Sequence, residues 1–274
     1  MNLRRLPSRA LAWSWLLALA ALTACDSYRV RELPSQNQDG RVRYLILHYT
    51  TENTADSLRL LTEPSSAPVS AHYVVDVPPA NRPRAQPTVF QLVPESARAW
   101  HAGRSFWSGE TALNASSIGI EIVNESNCLP LAAENPSAPC RFAPYPPGQI
   151  DAVVRLCREI LARHPDIEPW RVLGHSDVAP ARKVDPGPLF PWRQLHEAGV
   201  GAWPDEVAVQ RFTLAFAERL PSLMQVQEAL AAWGYDVATS GVKDKATRDA
   251  VSAFQLHFRP ERHDGVVDVG TVAR

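Results

Sequence analysis

Five side chains in this 274-residue sequence have types and settings suited to hydrolytic chemistry: His48, Glu121, His175, Lys183 and Asp185. Two imidazoles and a carboxylate, from His48, His175 and Asp185, make a three-ligand set that can hold zinc and leave a fourth position open for water. Zinc in such a set lowers the pKa of its water to roughly 7 and polarises a substrate carbonyl. Glu121 can then take the water's proton and later pass it to a leaving amine. Lys183 supplies a cation for the oxyanion of a tetrahedral intermediate, and losing one such donor typically costs about 10²–10³ in rate. No Ser or Cys with a matching base offers a nucleophilic alternative, since Cys128 and Cys140 bracket a loop with no nearby His. Plainer readings stand beside these. A His at a strand end is often a structural polar residue, and a Glu in an apolar strand also suits an edge position facing water. His175 and Asp185 alone, ten residues apart, are a weak metal signal.

The elements that must position these groups are short strands. Val42 to Tyr49 (VRYLILHY) is rich in β-branched and aromatic residues, and alternation puts Tyr44, Ile46 and His48 on one face. Ser117 to Asn124 (SIGIEIVN) places Ile118, Ile120 and Ile122 on one face and Gly119, Glu121 and Val123 on the other. A carboxylate there needs a partner or a purpose, because burying it alone is costly and raises its pKa. Trp170 to Gly174 delivers His175 into a loop stiffened by Pro180, Pro186, Pro188 and Pro191, which also holds Asp177, Lys183 and Asp185. His175 and Asp185 converge only where that loop folds back. Asp177 reads as a residue that orders the loop. Further strands fall at 70–77 and 88–93. Helices fall at 55–61, 149–164 and 191–198, the second on Ile150, Val153, Val154, Cys157, Ile160 and Leu161. This order implies an α/β domain, a central mixed β-sheet flanked by helices. A bridging helix over 202–218 leads to a small helical C-terminal domain. Its two helices carry stripes of Leu223, Val226, Leu230 and Trp233, and of Ala250, Val251, Phe254 and Phe258.

Hydrophobic residues make up 45% of the chain and charged ones 21%, enough apolar content for a sizeable core. The net charge is −1 and no Lys/Arg cluster is interleaved with aromatics, which argues against a nucleic-acid partner. Arg4, Arg5 and Arg9 precede an apolar run, Ala10 to Ala21, too short to span a bilayer comfortably. Leu22-Thr23-Ala24-Cys25 then resembles a bacterial lipobox, which implies cleavage before Cys25 and a lipid on that cysteine. Removing residues 1–24 takes away three positive charges and no acids, so the charge becomes −1 − 3 = −4. In an oxidising compartment Cys128 and Cys140 can bridge, the pairing favoured over other arrangements, while Cys157 reads as a buried small hydrophobe.

The same residues carry a family resemblance. The motifs LILHYT (45–50), SAHYVVD (70–76), AWHAG (99–103), SIGIEIVN (117–124) and LGHSDVAPARKVDPGPLFPW (173–192) resemble those of zinc-dependent N-acetylmuramoyl-L-alanine amidases of the type-2 family, related to peptidoglycan-recognition proteins. The periplasmic lipoprotein branch is the nearer likeness. The resemblance implies one zinc on His48, His175 and Asp185, and catalysis by Glu121 with Lys183. The bond cut is the amide between the lactyl group of N-acetylmuramic acid and L-alanine. It also implies a substrate groove shaped by His72, Tyr73, His101 and Asn114. Residues 221–270 are similar to a type-1 peptidoglycan-binding domain, with the third helix after the Asp-Gly turn almost absent. The expected organisation is a lipoprotein signal peptide (1–24), a spacer (25–40), a catalytic domain (41–200), a linker helix (201–220) and a truncated peptidoglycan-binding-like domain (221–274). Competing readings are a non-catalytic wall-binding receptor and a membrane-to-wall tether. The expected location is the periplasm, anchored by lipid to the outer membrane. Asp26 is the one residue that argues for the inner membrane. The sequence leaves the oligomeric state open.

Overall fold

The computed structural model describes residues 31–38, 40–127 and 140–274. Cys25, Cys128 and the signal segment lie outside these residues. The fold described here is that of Gly40–Arg274, which is one compact unit. Its elements run β1 (Tyr44–Tyr49), α1 (Thr54–Thr62), β2 (Tyr73–Val75), β3 (Val89–Gln91), β4 (Phe106–Trp107), β5 (Glu110–Thr111), β6 (Ser117–Ile122), α2 (Pro147–Arg163), β7 (Val172–Gly174), α3 (His175–Val178), α4 (Trp192–Glu197), α5 (Glu206–Glu218), α6 (Leu223–Trp233), α7 (Lys245–Phe258) and α8 (Val269–Val272).

The main sheet has the order β3-β2-β6-β1-β7. Only β3 runs antiparallel, against β2; the other pairings are parallel. It is therefore the mixed sheet the sequence implies. Parallel strands need cover on both faces, and β1 is buried along its whole length. One face carries Leu45, Leu47, Ile118, Ile120 and Ile122 against Ile150, Val153, Leu156, Cys157 and Ile160 of α2. Cys157 is a free, buried thiol there, packed as a small apolar side chain. The start of α2 is stitched to the strand ends by Gln149, whose Nε2 donates to the carbonyls of Val75, Asp76 and Val123.

The opposite face carries Tyr44, Ile46 and Leu173, and its cover comes from the far end of the chain. Val226 and Leu230 of α6, Tyr235, and Ala250, Val251 and Ala253 of α7 join them in one cluster with Trp107 and Leu113. Residues Gly40–Arg274, which hold both the expected catalytic and C-terminal parts, are one compact unit in space. The reason is the sheet's second apolar face, where Val226, Leu230, Ala250 and Val251 complete a cluster begun by Ala102, Trp107, Leu113 and Val178. Gly234, in the left-handed region (φ 141°), ends α6; a Cβ there would come within 2.5 Å of the Trp107 ring.

The C-terminal helices are well punctuated. Ser222 and Gln225 cap α6 reciprocally, and Asp205, Asp244 and Asp268 accept N-terminal backbone N–H groups of α5, α7 and α8. The third helix is present as the one-turn α8. Gln255 ties it down: its Nε2 donates to Thr271 Oγ1 and to the Val266 carbonyl, and its Oε1 accepts from the Gly265 N–H. The stretch around Trp107 forms the β4–β5 hairpin, which the sequence shows only as irregular. Among the described residues no helix is long and apolar enough to cross a membrane.

Candidate metal centre and active site

Strand register brings the chemistry together. β1 and β6 pair in parallel with His48 opposite Glu121, so their side chains leave the sheet side by side. On the other edge of β1, Leu47 lies opposite Gly174, which brings the next residue, His175, level with His48. The chain then makes the single turn of α3 and folds back through the proline-rich loop, and the Ser176 N–H donates to the Asp185 carbonyl. A Cβ on Gly174 would meet Pro186 Cδ at 2.8 Å, so the return needs glycine at that point.

His48, His175 and Asp185 converge, all buried. His48 Nδ1 and His175 Nδ1 are 2.9 Å apart, and each is 3.1 Å from Asp185 Oδ2. The far side of each ring fixes its tautomer. His175 Nε2 faces the Ala102 carbonyl at 3.1 Å; a carbonyl only accepts, so Nε2 carries the proton and Nδ1 a lone pair. For His48 the logic runs through two more residues. Ser117 Oγ donates to the Leu113 carbonyl (2.6 Å) and accepts from His101 Nε2 (3.1 Å), so His101 Nδ1 accepts from His48 Nε2 (2.9 Å). His48 Nδ1 is thus also a bare lone pair. Two lone pairs and a carboxylate oxygen face one another with no proton to share. Donor atoms on a tetrahedral zinc, with bonds of about 2.0–2.1 Å, lie about 3.3 Å apart. The cluster fits such an ion in donor type and in size.

Electrostatics agree with this assignment. Burial and the neighbouring His175 push the His48 imidazole down to about 4, so it is neutral near pH 7. Burial opposes ionisation of Asp185, but the His175 and His48 imidazoles outweigh it and hold the carboxyl below the usual carboxylate range. Burial, with the Asp185 charge beside it, pushes Glu121 well above its ordinary value, against the pull of Lys183. Glu121 Oε2 is buried with no hydrogen-bond partner. Glu121, Lys183, His175 and Asp185 line one cavity of about 280 Å³, together with Tyr49 and Arg182.

The four residues expected along the substrate groove fare differently. Of them only His101 lines the cavity, and its ring is held between His48 and Ser117. Asn114 acts on the backbone, where its Oδ1 accepts the N–H groups of His101 (3.1 Å) and Ala102 (2.8 Å) and so shapes the turn that bears the His101 ring. His72 is fully buried; its Nδ1 accepts from the Gly119 N–H and its Nε2 faces the Ala97 carbonyl. Tyr73 is buried and donates to Glu95 Oε1 at 2.7 Å, and burial with that contact pushes its hydroxyl up to about 12. None of these three lines the cavity: Tyr73 lies opposite Ile120 and faces away from Glu121, His72 shares the face of Gly119 and Glu121 but is packed behind the His101 ring at 5.8 Å between centroids, and Asn114 is spent on the backbone. Two supports escape a sequence reading. Gly119 leaves room for His101, since a Cβ there would come within 2.4 Å of its ring. Arg182 donates to the carbonyls of Ala102 and Arg104, both at 2.8 Å, and so clamps the Trp100–Arg104 stretch beside His175. Cys140 is disulfide-bonded; its expected partner, Cys128, lies outside the described residues.

The family model described as "N-acetylmuramoyl-L-alanine amidase" matches residues 38–188, and one described as "Putative peptidoglycan binding domain" matches 219–274. The N-acetylmuramoyl-L-alanine amidase AmiD of Escherichia coli (strain K12) is 42% identical over 235 residues, covering 85% of this chain and 80% of that protein. Among solved structures, AmpDh3 from Pseudomonas aeruginosa superposes with a TM-score of 0.77 at 39% identity, covering 91% of this chain and 94% of the other. AmiD from Escherichia coli, in complex with anhydro-N-acetylmuramic acid-L-Ala-D-γ-Glu-L-Lys, superposes with a TM-score of 0.74 at 39% identity, covering 90% and 93%. The chain belongs to the N-acetylmuramoyl-L-alanine amidase family. It is a hydrolase of the amide between the lactyl group of N-acetylmuramic acid and L-alanine in peptidoglycan or its fragments.

Proposed function

We propose that this amidase works with one zinc ion held by His48 Nδ1, His175 Nδ1 and Asp185 Oδ2. The observation that carries this is the convergence of two lone pairs and a carboxylate oxygen within 3.1 Å with no proton between them. Bound there, zinc supplies Lewis-acid polarisation of the scissile carbonyl and makes water a better nucleophile.

The remaining chemistry falls to the chain's own residues. Glu121 takes a proton from the attacking water as its oxygen bonds to the lactyl carbonyl carbon. It returns that proton to the alanine nitrogen as the C–N bond breaks. A raised pKa suits both halves of this exchange, since a carboxylate poised nearer neutrality is a better base and a usable acid. Lys183 places its ammonium in the same cavity, where it can meet the charge that develops on the carbonyl oxygen. AmiD and AmpDh3 have been solved with anhydromuramyl peptides, which supports such fragments as substrates here too.

We further propose that residues 1–24 are a lipoprotein signal, that Cys25 carries the lipid, and that the enzyme faces the periplasm from the outer membrane. Residues 219–274 then grip peptidoglycan. Intact-mass analysis of the membrane-extracted protein, with a Cys25→Ala comparison, tests the anchor. An unlipidated wild-type chain that fractionates with soluble proteins would overturn it.

The test of the central reading is metal analysis of residues 26–274 with an assay of peptide release from a muropeptide. About one zinc per chain is expected, with cleavage lost on chelation and restored by added zinc. Cleavage that survives complete metal removal would refute the role given to His48, His175 and Asp185.

A further inference from the structure

The turn that bears His175 is held from the far end of the chain. Asp177, two residues on, is 1% exposed. Its Oδ2 accepts the Gly174 N–H at 2.7 Å and His257 Nδ1 at 2.8 Å, and its Oδ1 accepts the Tyr235 hydroxyl at 2.6 Å. A carboxylate buried this deeply persists only where donors satisfy its oxygens. One donor is local, and it closes a small ring through Gly174, His175, Ser176 and Asp177. The other two come from the end of α6 and from α7, inside the region matched by the peptidoglycan-binding family.

Both distant donors are themselves fixed. The His257 ring stacks on Trp192 at 3.8 Å between centroids with 16° between planes. Tyr235 meets Trp107 edge-on at 4.9 Å. Burial, with the Asp177 charge, pushes the Tyr235 hydroxyl well above its usual range, so it stays a donor across the working pH range. Asp177 is absent from the metal cluster, and nothing in the hydrolytic chemistry uses it.

We propose that the C-terminal unit is a working part of the catalytic centre: Tyr235 and His257 are positioning residues that, through Asp177, set where His175 presents its ligand nitrogen. The proposal rests on the reading of His175 as a metal ligand. The coupling is to metal affinity and turnover, distinct from any grip on the wall.

The experiment uses the full chain from residue 26 and three variants, Tyr235→Phe, His257→Leu and His257→Asn. Asn keeps an N–H near the place of His257 Nδ1, and Leu does not. Zinc affinity is read by competition with a chromogenic chelator, kcat and KM on a soluble muropeptide that needs no wall binding, and Tm in the zinc-saturated form. Tyr235→Phe and His257→Leu are expected to weaken zinc binding by about 10–100-fold, while His257→Asn stays within about threefold of wild type. The loss in the muropeptide assay is expected in kcat, with KM unchanged. If His257→Leu does not fold, Tyr235→Phe, which removes one oxygen atom, and His257→Asn carry the comparison. Wild-type zinc affinity and kcat in Tyr235→Phe, whether or not Tm or binding to sacculi falls, would overturn the proposal. A wild-type chain that takes up no zinc would instead overturn the metal reading beneath it.

Discussion

Glu121 Oε2, buried and without a partner, makes the sharpest prediction at the scale of single residues. Glu121→Gln keeps the shape and removes the base. Amidase kcat/KM should fall by about 10²–10⁴ with zinc content unchanged. The pH profile carries the sign. Activity needs the carboxylate form, so wild-type kcat/KM should drop as pH falls through the raised pKa, and the residual activity of the Gln variant should lack that acid limb. A limb that persists in Glu121→Gln would move the base elsewhere. His48, Glu121, His175, Lys183 and Asp185 were legible in the sequence because each is an ionisable residue at the end of a strand or in a proline-stiffened loop. The role of His101 was not. Its link to His48 exists only because a distant turn folds across β6, and nothing in the local pattern of that turn reports the contact.

At the scale of elements the decisive object is the outward face of β6. Ser117, Gly119 and Glu121 follow one another along it, and each does one thing: a hydroxyl that fixes the His101 tautomer, a gap that admits its ring, and a carboxylate in the cavity. Gly119→Ala fills the gap. Overpacking of this kind costs about 1–3 kcal/mol, and displacing His101 frees the His48 ring to turn. The expected result is a lowered Tm together with weaker zinc binding, read by melting and by chelator competition. Unchanged zinc affinity at lower Tm would mean that His101 only fills space. The strands and long helices could be read from alternation and 3.6-residue spacing. The β4–β5 hairpin and the one-turn α3 could not, since two- and four-residue elements are too short for periodicity to show and are set by tertiary contacts.

At the scale of the molecule the apolar sheet face beneath α6 and α7 dominates. Leu230→Ala should cost about 2–5 kcal/mol, measured by denaturant unfolding. Removing 219–274 should leave Tyr44, Ile46, Trp107 and Leu113 uncovered, and the shortened chain is expected to aggregate. A soluble, monodisperse and active product on size exclusion would show that the catalytic layer stands alone. Stability of the chelated protein should also depend on pH. Burial and the neighbouring His175 hold His48 at about 4 in the folded chain, below its ordinary 6.5. The unfolded chain therefore takes up protons first, and stability present above pH 6.5 is lost as pH falls toward 4, by about 3 kcal/mol for His48. Burial lowers His72 and His101 as well, and they add to the loss. Glu121, with a raised pKa, opposes it, so chelated Glu121→Gln should lose stability more steeply over the same range in melts from pH 7 to 4.

The packing of α6 and α7 into the core has a consequence for how such an enzyme meets a polymer. A binding module on a slack leash lets its partner sample every bond within reach, and the gain in local concentration fades gently with distance. Here the grip and the blade share one core, as do the jaws of a caliper. With the grip proposed above for residues 219–274, the distance from the strand held to the bond cut would be set by packed side chains, and only stems at that offset would be severed while the wall is held. On a sacculus the products should therefore fall at regular intervals along each strand, whereas free muropeptides, which need no grip, escape the ruler.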